Sequence, residues 1–539
     1  METLEREKQE GLVEYADRLS ELYTSNHSAK VRKPKGQFFT PKQVSRYMVN
    51  LLDVNIDKIR LLDPGAGTGI LTAAFCERIL SSDKIVDLTI DTYEYDPNLS
   101  RLLRNTLESC KIDLEAKGHR VEYSINESDF VLHNNGHFYD CDSLWGSNDN
   151  ILYDFVISNP PYYKLNKNAP QSIAMMQLNS GQPNIYTLFM ALATSLLKIN
   201  GEMVFITPRS FCSGLYYKKF REWFINSVHI KDIHIFESRD KIFDRDSVLQ
   251  ENVIVKSKKT NKTTDQRHGG LTISISEDKD FNKIRKIDMK TSDLISHSNG
   301  ENFIRIPTSH ISIDVMSIID SWTDTLTSLG FEVSTGPVVP FRAEKYLLYE
   351  SSETMQSVPL LWMHNMQNMG VVWPLKKNRK PYAICICDKT IPLLLPVRNY
   401  VLVNRFSSKE QKRRLYASVF LESHFDNSKV IGIENHVNYI RKSDGNLTIY
   451  EAFGIAGILN TKIIDIYFRS LNGNTQVNAT DIRNLPFPNI DDLRKIGHTI
   501  CDARIHSNIL DIDDFVAEIL EIKPEIIRRL KKEHYEQDQ

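Results

Sequence analysis

No apolar run in this chain is long enough to cross a bilayer. The longest, such as residues 391–396, end after a few positions, whereas a spanning helix needs about 20. The opening Met1-Glu2-Thr3-Leu4-Glu5-Arg6-Glu7 carries none of the features of a secretory leader, so a bacterial cytoplasmic location is expected and no membrane partner. Cysteine is scarce, 7 in 539 residues, and scattered. Only Cys385 and Cys387 are close, in a stretch that reads as a strand, with no second Cys/His pair beside them. Neither a disulfide framework nor a metal centre is expected. There is no excess of either charge: the formal net charge is -2. A polyanionic ligand would therefore need basic residues gathered on one face. What remains, 41% hydrophobic and 25% charged residues, is the balance of an ordinary soluble protein. The length predicts two or three domains.

One stretch organises the rest: Asp154-Phe155-Val156-Ile157-Ser158-Asn159-Pro160-Pro161-Tyr162-Tyr163. Phe155, Val156 and Ile157 form a continuous apolar run, the pattern of a buried parallel strand. Two prolines cannot continue a ladder, so the chain leaves the sheet at its carboxyl end, where open α/β sheets bind ligands. The break offers the Asn159 amide, the Pro160 carbonyl and the Tyr162 ring. Two acceptors, the Asn159 side-chain oxygen and the Pro160 carbonyl, can take both hydrogens of an amino group on a planar ring. The nitrogen is drawn toward tetrahedral geometry and its lone pair is freed for an electrophile, while Tyr162 stacks on the ring. Positioned dipoles then meet the developing charge. A proline-stiffened loop is the plain alternative. Pro-Pro alone would not decide between the two; Asn-Pro-Pro-Tyr at the end of an apolar strand favours chemistry.

Upstream, residues 1–35 are charged, with Leu12, Tyr15, Leu19 and Leu22 near helical spacing, and read as an amphipathic lead-in. Phe39-Thr40-Pro41 then predicts a helix start, with Thr40 as the cap and Pro41 at the first position. Next, Asp63-Pro64-Gly65-Ala66-Gly67-Thr68-Gly69 is a strand feeding a glycine turn that opens a helix. Glycines let the backbone approach a ligand closely. The phosphate-binding lysine of a P-loop is missing. A carboxylate beside the turn would repel a pyrophosphate but suits a cationic amino-acid head, which points to S-adenosylmethionine held near Asp63, Gly65 and Gly67. Glu94 falls one strand–helix–strand unit later, where a carboxylate takes ribose hydroxyls. Asp129 could accept from an adenine amino group, with Phe130 packing on the ring. A solvated turn acid is the plain reading of Asp129. Phe243, in a polar turn, is a candidate second plate for an extruded base, opposite Tyr162. Residues 164–184 are polar and read as a mobile loop near the site. Strands are expected at 201–208, 231–236 and 252–255, and a further one at 271–276.

This set of motifs, in this order over roughly residues 36–257, resembles the γ-class N6-adenine DNA methyltransferases, above all the modification enzymes of type II restriction systems. The resemblance implies an α/β fold: a Rossmann-like S-adenosylmethionine-dependent methyltransferase sheet followed by a mixed α+β target-recognition domain. It implies that Thr40, Asp63, Gly65, Gly67, Glu94, Asp129 and Phe130 hold the cofactor. It also implies that Asn159, Pro160, Pro161 and Tyr162 grip an adenine flipped out of duplex DNA, with Phe243 on its other face. The expected division is 1–35 lead-in, 36–315 catalytic domain, 316–488 recognition domain and 489–539 helical tail.

In the second half, residues 373–380 and 404–414 are basic clusters with aromatics interleaved. Lys376, Lys377, Arg379, Arg405, Arg413 and Arg414 are expected on DNA phosphates, although a basic run is commonly a solvated face. Glu434-Asn435-His436-Val437-Asn438-Tyr439 adds amides able to read base edges. A polar stretch, 471–488, is similar to the end of the recognition region in the same enzymes. The expected partners are double-stranded DNA and a separate cognate endonuclease that need not bind stably; a monomer is expected. The catalytic tetrapeptide also occurs in protein-glutamine N5-methyltransferases, which are shorter, and N4-cytosine enzymes carry Ser in place of the Asn. A catalytically silent DNA-binding subunit is a reading of another class, against which the intact tetrapeptide argues. A nuclease fusion built on Asp513, Asp514, Glu521 and Lys523 is disfavoured because those residues fall on predicted helices.

Overall fold

Strand β1 (Lys58–Pro64) is paired in parallel with β2 (Asp87–Tyr93) on one side and β4 (Tyr153–Ser158) on the other. β3 (Arg120–Asn126) lies beyond β2 and β5 (Leu197–Pro208) beyond β4, also parallel. β7 (Asn252–Lys259) then enters antiparallel between β5 and β6 (Val228–Phe236), and β8 (Gly270–Ser276) and β9 (Ile284–Lys290) extend that edge. The order is β3-β2-β1-β4-β5-β7-β6-β8-β9. The structure is a computed structural model that describes residues 5–140, 151–237, 251–261, 269–298, 300–349, 356–375, 380–407, 411–425, 428–473, 475–506 and 511–537. The chain forms two compact units, Met1–Ile306 and Pro307–Gln539.

The sheet is the expected Rossmann-like one, and its order reverses between β1 and β4, the switch point where such sheets bind ligands. β8 is the strand expected at 271–276. β9 carries Arg285, Lys286, Asp288 and Lys290, so only one of its faces is apolar, which suits an outer strand.

Helices cover the sheet. Leu12, Val13 and Ala16 of the helix Leu12–Asn26 share one core with Val44 and Met48, with Phe75 of the helix Ile70–Leu80, and with Phe155 and Ile157 of β4. The first helix, expected as an amphipathic lead-in, packs as a layer of the first unit. Burial of Leu12, Val13 and Leu19 contributes roughly 1.5–3 kcal/mol each. Residues 164–184, expected as a mobile loop, contain the helix Pro170–Ala174 and bury Leu165, Met175 and Leu178. These three scattered apolar residues carry no period, which is why the stretch reads as loop.

The second unit contains a four-stranded antiparallel sheet in the order Phe331–Thr335, Val437–Lys442, Tyr400–Asn404, Ala417–Phe420, and a five-stranded mixed sheet. The helix Ile490–Ile505, expected to open a separate tail, packs on the helix Ile449–Leu459 instead. Glycine permits the contact: a Cβ on Gly497 would lie 1.8 Å from the Tyr450 carbonyl oxygen. The boundary at 306/307 also precedes the expected 315/316, so the helix His310–Asp320 belongs to the second unit.

Candidate active site

A cavity of about 630 Å³ opens where the chain leaves β1, β2 and β4, lined among others by Thr40, Gly65, Gly67, Glu94, Asp129, Phe130 and Asn159. Gly65 and Gly67 have φ of +76° and +59°, a conformation open to glycine and costly to other residues. The turn is tied to β2, since the Gly65 and Ala66 amides both donate to the Tyr93 carbonyl, at 2.8 and 3.0 Å.

Glu94 stands under the same turn. Its Oε2 accepts from the Gly67 amide at 2.9 Å and its Oε1 from the Asp96 amide at 2.8 Å. Each oxygen keeps a lone pair for a ligand hydroxyl. Burial pushes the carboxyl up to about 7, aided by repulsion from Asp96 and Asp63, against those two backbone bonds. Asp129 accepts from the Leu132 amide at 3.0 Å and from Gln171 Nε2 at 2.7 Å. Phe130 sits edge-on to Tyr93, with centroids 5.0 Å apart.

Asp63 differs from expectation. It is fully buried and lies outside the cavity lining. Its Oδ2 accepts from the Thr72 hydroxyl at 2.7 Å, while Oδ1 has no hydrogen-bond partner. Burial pushes this carboxyl also up to about 7. It supports the turn from below instead of touching what the cavity holds. Its strand side chain alternates inward there, a facing that depends on register.

Asp96 lines the cavity and was not singled out in the sequence. It caps the helix Pro97–Ala116 through the Asn98 amide at 3.0 Å and pairs with Lys35 at 3.0 Å. Burial would raise its pKa, but Lys35, Asn98 and Gln37 together hold it down at about 2. The Asp-Pro pair at a helix start was the available signal.

The Asn159 amide is held from two sides. Asn159 Nδ2 donates to the Phe38 carbonyl at 2.9 Å and to Thr40 Oγ1 at 3.0 Å. A backbone carbonyl only accepts, so the NH₂ end is fixed toward it and Oδ1 faces the other way. Thr40 was expected to cap a helix. The helix is Lys42–Asn50, its first turn has no side-chain cap, and the Thr40 hydroxyl holds Asn159 instead. Oδ1 accepts from the Tyr162 hydroxyl at 2.5 Å, and that hydroxyl also lies 2.7 Å from the Ile206 carbonyl. The Tyr162 ring stacks on Phe38 at 5.8 Å and is 6% exposed. The hydroxyl draws the ring toward two carbonyl acceptors, so little of it is exposed where a stacking face for a base was expected. Tyr163, the next residue, lines the cavity. Gly36, with φ +66°, lets the preceding turn lie against this one: a Cβ there would be 2.6 Å from the Tyr162 amide nitrogen.

Residues 74–243 match the Eco57I restriction-modification methylase family. The chain is 35% identical over 501 residues to the type II methyltransferase M.BsuBI of Bacillus subtilis, covering 92% of this chain and 96% of that one. The chain belongs to the type II methyltransferase family. A second member, M.PstI of Providencia stuartii, is 33% identical over 485 residues, 90% of this chain and 93% of the other.

S-adenosylmethionine is the cofactor of this methyltransferase, and the residues present fit it. The glycine turn allows close backbone approach. Glu94 offers paired acceptors to a ribose, and Asp129 and Phe130 suit an adenine.

Of the remaining expected residues, Pro161 lines the cavity and Pro160 lies in the turn beside Asn159. Phe243, Lys376, Lys377 and Arg379 lie outside the described residues. Arg405 and Arg413 are half-buried, and each donates to a main-chain carbonyl: Arg405 to Asn435 at 2.8 Å, Arg413 to Asn460 at 2.6 Å. Arg414 is a correction. It is 1% exposed, its guanidinium donates to Ser407 Oγ and the Asn472 carbonyl, and it packs over the Phe468 ring. So enclosed, it reaches no phosphate; it ties the segment after Tyr400–Asn404 to the helix Lys462–Leu471.

Proposed function

We propose that this methyltransferase moves the methyl group of S-adenosylmethionine to the N6 amino group of an adenine flipped out of double-stranded DNA. The observation that carries this reading is the fixed polarity of the Asn159 amide. With Nδ2 committed to Phe38 and Thr40, Oδ1 retains one lone pair beside its bond to Tyr162. That lone pair accepts one amino hydrogen of the target, and the Pro160 carbonyl accepts the other. The amino nitrogen turns its own lone pair toward the cavity, and no strong base is needed before transfer because oriented dipoles stabilise the cationic nitrogen. The bound cofactor supplies an electrophilic methyl on a sulfonium. The extra proton leaves to solvent afterwards.

Restriction by a separate endonuclease acting at the same DNA site, with no stable complex, and a monomeric methyltransferase complete the proposal. The test is Asn159→Ala. Transfer of labelled methyl groups to DNA should fall below detection while cofactor affinity stays close to that of the parent. Surviving transfer would refute the mechanism. Mapping the product as N6-methyladenine supports the reading; N4-methylcytosine in DNA, or methylated glutamine in protein, replaces it.

A further inference from the structure

Three segments of the second unit meet at one end of its sheets. The Asn435 amide donates to the Val338 carbonyl at 2.9 Å, and the Arg405 amide to the His436 carbonyl at 2.9 Å. The residue before the first of these, Pro337, follows Gly336, where a Cβ would lie 2.2 Å from the Glu434 carbonyl oxygen. Turns 336–342 and 433–437 are thus pressed together, with Arg405 beside them.

The side chains here are unusual in two ways. Phe341 is 76% exposed, with the Arg342 guanidinium 5.4 Å from its ring centroid. A lone exposed aromatic is ordinary by itself; what sets this one apart is the cation over its ring. Beside it, two polar atoms are buried with no partner: Arg405 Nε, a donor, and Asn435 Oδ1, an acceptor. Such orphans are rare in folded proteins, and both belong to side chains that are half-buried and not enclosed. His436 is held ready. Its Nδ1 bonds Glu434 Oε1, and its amide donates to Glu434 Oε2 at 3.0 Å. Glu434 is fully buried, and the His436 side chain is 46% exposed with its Nε2 edge unengaged among the described residues.

We propose that this edge is the base-reading contact of the second unit. Asn435 and His436 meet base edges, Arg342 and Arg405 meet phosphates, and Phe341 packs into the stack. An amide, an imidazole and guanidinium groups are the chemistry that base edges and phosphates select, and apolar wedges between base steps are a recurring device. With the whole chain near neutrality, DNA affinity must come from such a local set. The inference rests on DNA being the substrate.

The test uses the full chain and unmethylated plasmid DNA. Phe341→Ala and Arg342→Ala alter exposed side chains, so folding is retained. Each should weaken plasmid binding by about tenfold, and Arg342→Ala should also reduce the slope of log affinity against log salt by about one. Asn435→Ala should change which plasmid sites become methylated, read by sequencing, with cofactor affinity unaltered. If all three variants bind and methylate as the parent does, the edge is not the reader. If the parent itself transfers no methyl group to DNA, the proposed function fails before the edge is tested.

Discussion

Thr40 Oγ1 lies 3.0 Å from Asn159 Nδ2, joining residues 119 positions apart. The contact fixes which end of the amide faces an incoming amino group. Thr40→Val keeps the shape and removes the acceptor. The loss expected is about tenfold in kcat, or about 1.4 kcal/mol, with little change in cofactor Kd and recovery in Thr40→Ser. Single-turnover transfer beside a cofactor titration separates the two effects. A fall in cofactor affinity alone would assign Thr40 to the cofactor and not to the amide.

The pH dependence follows from Glu94 and Asp63, both pushed up to about 7 by burial. Only Glu94 lines the cavity; its charged form is the better acceptor for ribose hydroxyls, so cofactor affinity should rise between about pH 6 and pH 8 and level off above. The stability of the free protein runs the other way. A carboxyl whose folded pKa is raised contributes stability that is complete below the ordinary carboxylate range and lost as pH rises through about 7. Glu94→Gln should flatten the binding profile. Calorimetric titration across this range checks the first trend and thermal melting without cofactor the second.

Gly36 has φ +66° and would place a Cβ 2.6 Å from the Tyr162 amide nitrogen. Gly36→Ala should therefore cost roughly 1–3 kcal/mol of stability. It should depress transfer further by shifting the turn that carries Asn159. Urea unfolding gives the first quantity, and the rate at a temperature where the variant remains folded gives the second.

Arg414→Ala should act on folding. Removing a buried guanidinium strands the Asn472 carbonyl and opens space beside Phe468, so Tm should fall by several degrees. The salt dependence of DNA binding in the surviving folded fraction should match the parent. A flattened slope without loss of Tm would return Arg414 to the phosphate contacts.

The parts of the site legible in the sequence are those whose cause is local. Gly65 and Gly67 announce a left-handed turn, Pro160 and Pro161 end a strand, and Phe155–Val156–Ile157 betray a strand covered on both faces. What was not legible depends on partners far along the chain. The Thr40 hydroxyl looked like a helix cap because nothing nearby competes for it; its partner comes from the turn after β4. Asp63 looked like a ligand because it precedes the glycine turn, but its side chain is buried against Thr72, outside the cavity lining. Tyr162 looked like an exposed plate until its hydroxyl found Ile206 of β5. Arg414 belonged to a run of cations that reads as surface, while Asn472 and Phe468, which enclose it, lie more than fifty residues on. The first helix read as detached because its burial depends on Val44, Met48 and Phe75 rather than on itself.

β7 threads between β5 and β6 and pairs with both. During synthesis, then, β5 and β6 emerge before the strand that separates them. A nascent or truncated chain that stops short of residue 252 lacks β8 as well, so β5 keeps one raw border and β6 two, each free to capture a wrong neighbour. The last strand to arrive at this position closes the open side of β5, which pairs with the strand leading into Asn159, so shortened forms should aggregate rather than retain a weakened activity.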